Sequence, residues 1–78
     1  MTIVDVRTSE EYRNGNVPGS LNIPLGEISS RLKDFLNLEM PIVLCCASGN
    51  RSGQATQYLQ ENGITCENGG SWMNLNSL

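Results

Sequence analysis

The apolar run Pro41-Ile42-Val43-Leu44 ends on two adjacent cysteines, and a loop of small and polar residues, Ala47 to Ser52, separates it from a helical pattern. A short strand hydrophobic on both faces must be covered on both faces, which is the situation of a central strand in a layered α/β protein. The loop that follows carries one glycine, Gly49, and one arginine, Arg51. A thiol is thus delivered at the end of a buried strand, at the mouth of a helix.

The remaining pattern repeats this alternation. Ile3-Val4-Asp5-Val6 is a β-rich run. Thr8 and Glu11 have capping-box spacing and Gly15 supplies a stop, so a short helix is expected between them. Val17-Pro18-Gly19-Ser20 reads as a turn, and Leu21-Asn22-Ile23 as an extended piece that ends at Pro24. From Glu27 onward, Ile28, Leu32, Phe35 and Leu36 fall at i, i+4, i+7 and i+8, one face of a helix. Ser52 to Asn62 is expected as a helix with Ala55, Tyr58 and Leu59 inward, stopped by Gly63. Ile64 to Glu67 reads as a last strand, Asn68-Gly69-Gly70 as a turn, and Ser71 as the cap of a final helix carrying Trp72 and Leu75. Strand and helix alternate along the whole chain. Right-handed crossovers then build one domain, 1–78: a three-layer α/β/α sandwich with a mostly parallel sheet of about four strands. Ligands of such sheets bind beyond the carboxyl ends of the strands, where Cys46 lies.

Composition removes several classes of function. No apolar stretch approaches the roughly 20 residues that span a bilayer, so no membrane association is expected. No basic segment with an apolar core opens the chain, which favours the cytoplasm, with the periplasm as the other compartment. A net charge of −3 with five basic residues disfavours wrapping nucleic acid. Three cysteines are an odd number for a disulfide framework, and neighbours Cys45 and Cys46 point to opposite faces of a strand. There is no CxxC pair and no histidine, so no metal and no cofactor is expected. The missing histidine also restricts the thiol chemistry. A reactive cysteine here has no imidazole to take its proton and must be acidified by backbone N–H groups, a helix N-terminus and Arg51.

Several motifs point to one family. Asp5-Val6-Arg7, then Glu11-Tyr12, then the run Gly15 to Pro24, resembles the opening signature of rhodanese-like domains. The loop Cys46 to Ser52 resembles their cysteine loop, and Gly69-Gly70 with Trp72 their closing motif. The resemblance covers about Ile3 to Trp72. It implies the fold argued above and transfer of a sulfane sulfur, from thiosulfate or a persulfide, through one cysteine to a thiol or a protein acceptor. Two departures stand out. Asn16 occupies a position where the family usually has histidine. The chain also starts directly on the Asp-Val-Arg strand, where family members usually carry an extra strand and helix, so the fold is expected to be shortened at the N-terminus. A bare sheet edge is then expected, to be covered by a partner or a second copy in a monomer or weak dimer.

With Cys46 as nucleophile, the N–H groups of Ala47, Ser48, Gly49, Asn50, Arg51 and Ser52 are expected to ring an anionic sulfur, and Arg51 to receive the oxygens of a sulfonate. An alternative stays open: the spacing Cys45-x5-Arg51-Ser52 is that of cysteine-dependent phosphatases and arsenate reductases, although Gly49 is placed for Cys46 and Leu44 stands where those enzymes have histidine. A non-catalytic rhodanese-like binding module is the third reading. Cys66 is expected in the core, Arg7 to pair with Glu11, Trp72 to anchor the last helix, and Asp5 to hydrogen-bond the turn after its strand.

Overall fold

The computed structural model describes residues 1–75. Four strands, β1 (Thr2–Asp5), β2 (Leu21–Asn22), β3 (Ile42–Cys46) and β4 (Cys66–Ser71), form one sheet in the order β2-β1-β3-β4, every pair parallel. Between them run α1 (Ser9–Arg13), α2 (Leu32–Leu36) and α3 (Asn50–Glu61), and α4 (Trp72–Leu75) follows β4. The element types follow local chemistry. Thr8 caps α1 in a complete capping box with Glu11, and β-branched and apolar residues fill β1 and β3.

All five residues of β3 are buried, which identifies it as the central strand. Its side chains alternate. Ile42, Leu44 and Cys46 join Val4, Val6, Ile28, Phe35, Ala55 and Leu59 in the main core, covered by α3 and the segment before β3. Val43 and Cys45 face the opposite side with Asp5. That side is covered by Arg7, in the turn that leads into α1, and by Trp72 and Leu75 of α4. The arrangement is three-layered, with one thick and one thin helical layer.

Several boundaries differ from the sequence expectation, each for a local reason. The stretch after Pro24 is two 3-10 turns, Leu25–Glu27 and Ser29–Arg31, before the short α2. Gly26 and the pair Ser29-Ser30 weaken a continuous α-helix there. Phe35 and Ile28 reach the core, but Leu36 is 66 % exposed. On α3 the inner face is Ser52, Ala55, Thr56 and Leu59, while Tyr58 lies at the rim. Ser52 and Thr56 tolerate burial because their hydroxyls are hydrogen-bonded, the Thr56 hydroxyl donating to the Ser52 carbonyl at 2.7 Å. Asn68-Gly69-Gly70 is not a turn but part of β4. Leu44 pairs with Asn68 and Cys45 with Gly70, so Gly69 is the extra residue of a β-bulge.

Glycine is needed at 69 for space. A Cβ there would stand 2.6 Å from Val43 Cγ1 and 2.9 Å from Leu75 Cδ1. Gly69→Ala is expected to lower stability by about 1–3 kcal/mol through overpacking. Gly26→Ala, at a position with nothing within 4 Å, is expected to be neutral or to stabilise by up to about 1 kcal/mol. Urea unfolding of both variants checks this, and equal midpoints would contradict the bulge packing.

Candidate active site

Cys46 is the last residue of β3, and the chain turns around its sulfur before α3 begins. Gly49, at φ 102°, makes that turn possible, because a residue with a side chain rarely adopts this left-handed conformation. Its N–H donates to Cys46 Sγ at 3.0 Å, and the Ser52 N–H donates at 3.4 Å. The Ser48 N–H also favours the anionic form of the same sulfur. The Ser52 hydroxyl stands 3.3 Å from Sγ. Of the six residues expected to ring the sulfur, the structure therefore brings Gly49 and Ser52 into hydrogen-bonding distance of it, and Ser48 acts on it electrostatically. Ala47 and Asn50 lie on the exposed outer side of the loop, and Arg51 points away toward α1.

Cys46 itself is 0 % exposed. Burial opposes ionisation most strongly, yet the Ser52 hydroxyl and the N–H groups of Ser52, Gly49 and Ser48 together outweigh it and bring the thiol down to about 7. The sulfur is thus buried and held as an incipient anion, with the N-terminus of the 12-residue α3 behind it.

Asn68 belongs to this site and was not legible in the sequence. Its Oδ1 accepts the Ser52 hydroxyl at 2.6 Å and the Gly70 N–H at 3.0 Å, while its Nδ2 donates to the Gly49 carbonyl at 3.0 Å. One amide side chain thus ties the edge strand to both ends of the cysteine loop. With the sulfur protonated, the thiol donates to Ser52 and Ser52 to Asn68. With the sulfur ionised, the Ser52 hydroxyl can turn to it, and Asn68 Oδ1 keeps the Gly70 N–H. Gly53 leaves room for this contact, since a Cβ there would meet Asn68 Nδ2 at 3.3 Å.

The two arginines near the loop are paired differently from expectation. Arg7 binds Asp5, not the Glu11 carboxylate: its Nη2 lies 2.7 Å from Asp5 Oδ2 and its Nε 3.0 Å from both oxygens, with side chains 5 % and 0 % exposed. Its other donors reach the Gly15 and Glu11 carbonyls, and its guanidinium lies 4.6 Å from the Trp72 ring centroid. Asp5 also accepts the Arg7 N–H at 3.0 Å, the expected turn contact. Glu11 instead takes Arg51 in a two-pronged pair, Nη1 to Oε1 at 2.7 Å and Nη2 to Oε2 at 3.0 Å. The Arg51 guanidinium beside it, together with the Thr8 N–H, holds the Glu11 carboxyl down at about 2.

The other thiols are in different environments. Cys45 is buried on the opposite face, and burial, reinforced by the charge of Asp5, pushes it up to about 12. Cys66 is buried in the main core and raised by burial. Asn16 donates to the Tyr12 carbonyl at 2.9 Å, a hydrogen bond within the turn. No helix among the described residues is long and apolar enough to cross a membrane.

Comparison with known proteins agrees with this architecture. Residues 1–74 match the family described as rhodanese-like domain. The chain is 38 % identical over 69 residues to the thiosulfate sulfurtransferase PspE of Escherichia coli, covering 86 % of this chain and 66 % of PspE. Two further curated relatives are covered over 49 % and 34 % of their length, so the chain spans less than two thirds of these relatives. Among solved structures, SSP1007 of Staphylococcus saprophyticus superposes with a TM-score of 0.85 at 37 % identity, over 97 % of this chain and 75 % of that one. A rhodanese with anions from Escherichia coli gives 0.83 at 33 % identity, over 94 % and 88 %. A shared parallel sheet, a cysteine loop at the end of its central strand and a family match over nearly the whole chain lead to one conclusion: this chain is a member of the rhodanese-like domain family.

Proposed function

We propose that the protein is a sulfurtransferase in which Cys46 carries the sulfur. The observation that supports this most directly is the pair of backbone N–H groups, with one hydroxyl beside them, directed at a single buried sulfur. Near neutral pH about half of such a thiol is ionised, against about three parts in a hundred for a free cysteine. The Cys46 thiolate attacks the outer sulfur of thiosulfate or a persulfide. The S–S bond of the donor breaks, sulfite or a thiolate leaves, and Cys46 holds the transferred sulfur as a persulfide. The same donors then face the persulfide anion. A thiol acceptor removes its outer sulfur and restores the thiolate. Ser48, Gly49 and Ser52 act on the sulfur, Ala47 and Asn50 form the outer wall, and Arg51 closes the loop in its ion pair with Glu11.

The phosphatase reading through Cys45 finds no support, because that thiol faces Asp5 across the sheet from the loop. The acceptor remains a small thiol or a protein, reached from the cytoplasm in the simplest case.

Intact-mass analysis after incubation with a sulfane-sulfur donor in excess tests the proposal. One added sulfur atom is expected on the wild type, removed by cyanide and missing in Cys46→Ser. A sulfur that persists in Cys46→Ser and disappears in Cys45→Ser would overturn it. The pH dependence of Cys46 alkylation tests the electrostatics. The folded thiol lies below its ordinary value, so reactivity is expected to rise through about pH 7. Ser52→Ala removes one donor to the anion and is expected to move the midpoint up by roughly one unit. An unchanged midpoint would show that the hydroxyl does not act on the sulfur.

A further inference from the structure

Building on the sulfur-transfer reading, we infer that Glu11 sets the donor class of the Cys46 site. By holding Arg51 in a charge-neutral pair, it makes an alkyl persulfide, and not the thiosulfate dianion, the preferred sulfur source. The geometry carries the argument. Both carboxylate oxygens of Glu11 are used on Arg51, at 2.7 and 3.0 Å, and each terminal nitrogen of the guanidinium is engaged. The paired nitrogens are those that would grip two oxygens of a sulfonate side by side. An anion must therefore displace Glu11 or settle for the remaining N–H groups of a guanidinium whose charge is already balanced.

The surroundings reinforce this. The groups whose charge acts on Arg51 are Glu11, Cys46 and Asp5, all acidic. The guanidinium of Arg7 is likewise taken, buried against Asp5. A dianion approaching the Cys46 thiolate thus meets a like charge without an open counter-ion. An alkyl persulfide carries at most one negative charge, lost on protonation to R–S–SH, and has no sulfonate oxygens that need a two-pronged cation. In its transfer the Cys46 thiolate bonds to the outer sulfur, the S–S bond of the donor breaks, and RS⁻ leaves. Cys46–S–SH is formed, and no external oxidant or reductant is needed.

Glu11 has a second duty, as the N3 residue of the α1 capping box, where its Oε1 accepts the Thr8 N–H at 3.0 Å. Glutamine serves equally in such a box. Glu11→Gln therefore removes the charge and leaves the helix start in place. Acidification is no substitute, since the depressed carboxyl stays ionised until the pH falls to about 2.

The experiment compares wild type with Glu11→Gln in two measurements. In the first, inorganic sulfate protects Cys46 from alkylation. Protection is expected at roughly fivefold lower sulfate in the variant, the scale of one exposed ion pair. This readout does not depend on sulfur transfer. In the second, intact mass follows sulfur loading from thiosulfate and from an alkyl persulfide. The wild type is expected to load faster from the persulfide, and the variant to shift the ratio of the two rates toward thiosulfate by a similar factor. Equal sulfate protection in both proteins would overturn the masking of Arg51. Faster wild-type loading from thiosulfate would overturn the donor class. If neither donor loads either protein, the sulfur-transfer reading itself falls, and the donor assignment with it, whereas the sulfate measurement still judges the ion pair separately.

Discussion

Two backbone N–H groups, those of Gly49 and Ser52, point at the sulfur of Cys46 from 3.0 and 3.4 Å, and much of the molecule serves to keep them aimed there. A backbone donor is fixed only as well as the chain on either side of it. On one side stands β3, five residues buried on both faces and paired in parallel with β1 and β4. On the other stands α3, anchored in the main core by Ala55 and Leu59. Asn68 closes the arrangement by holding the Gly49 carbonyl and the Ser52 hydroxyl to the edge strand. The β-bulge at Gly69 is therefore part of the site, because it sets which residues of β4 face the loop.

The two ion pairs divide the structural and chemical work. Asp5 and Arg7 are buried, and a buried pair is tolerable only when its remaining donors and acceptors are satisfied. Here Arg7 spends its nitrogens on Asp5, the Gly15 carbonyl and the Glu11 carbonyl and lays its face against Trp72, so that one guanidinium joins β1, α1 and α4. Hydrogen bonding to Asp5, the largest influence, raises the Arg7 pKa and keeps it charged. The pair of Glu11 and Arg51 is about one-third exposed on each side and contributes little to stability. Its consequence is electrostatic: it decides how much positive charge the cysteine loop offers to an incoming anion.

What could be read from the sequence was what depends on neighbouring residues. The runs at Ile3 and Pro41, the capping box of Thr8 and Glu11 and the stop at Gly63 are local patterns, and each marks a real element. Cys46 and its loop were legible for the same reason. Non-local pairings were not. Arg51 and Glu11 are 40 residues apart in the chain, and nothing in either segment selects one over the other until the sheet brings β3 beside β1. Arg7 sits beside Glu11 by helical spacing, but the turn after β1 folds its side chain back onto Asp5. Asn68 looked like a turn residue because Asn-Gly-Gly is turn chemistry, whereas pairing with β3 extends it and the bulge absorbs the extra glycine. Tyr58 and Leu36 fit an inward helical period, yet buried polar residues with satisfied hydroxyls took the inner face of α3 in place of the tyrosine.

The central claim is that hydrogen-bond donors, without an imidazole, hold a fully buried sulfur as an anion. An ultraviolet titration of thiolate absorbance, taken as the difference between the wild type and Cys46→Ala, measures this on the resting protein without any donor or alkylating agent. A single transition centred near pH 7 is the predicted result. A midpoint at or above the ordinary thiol value of 9.0 would contradict the account, because burial would then have won over the amides.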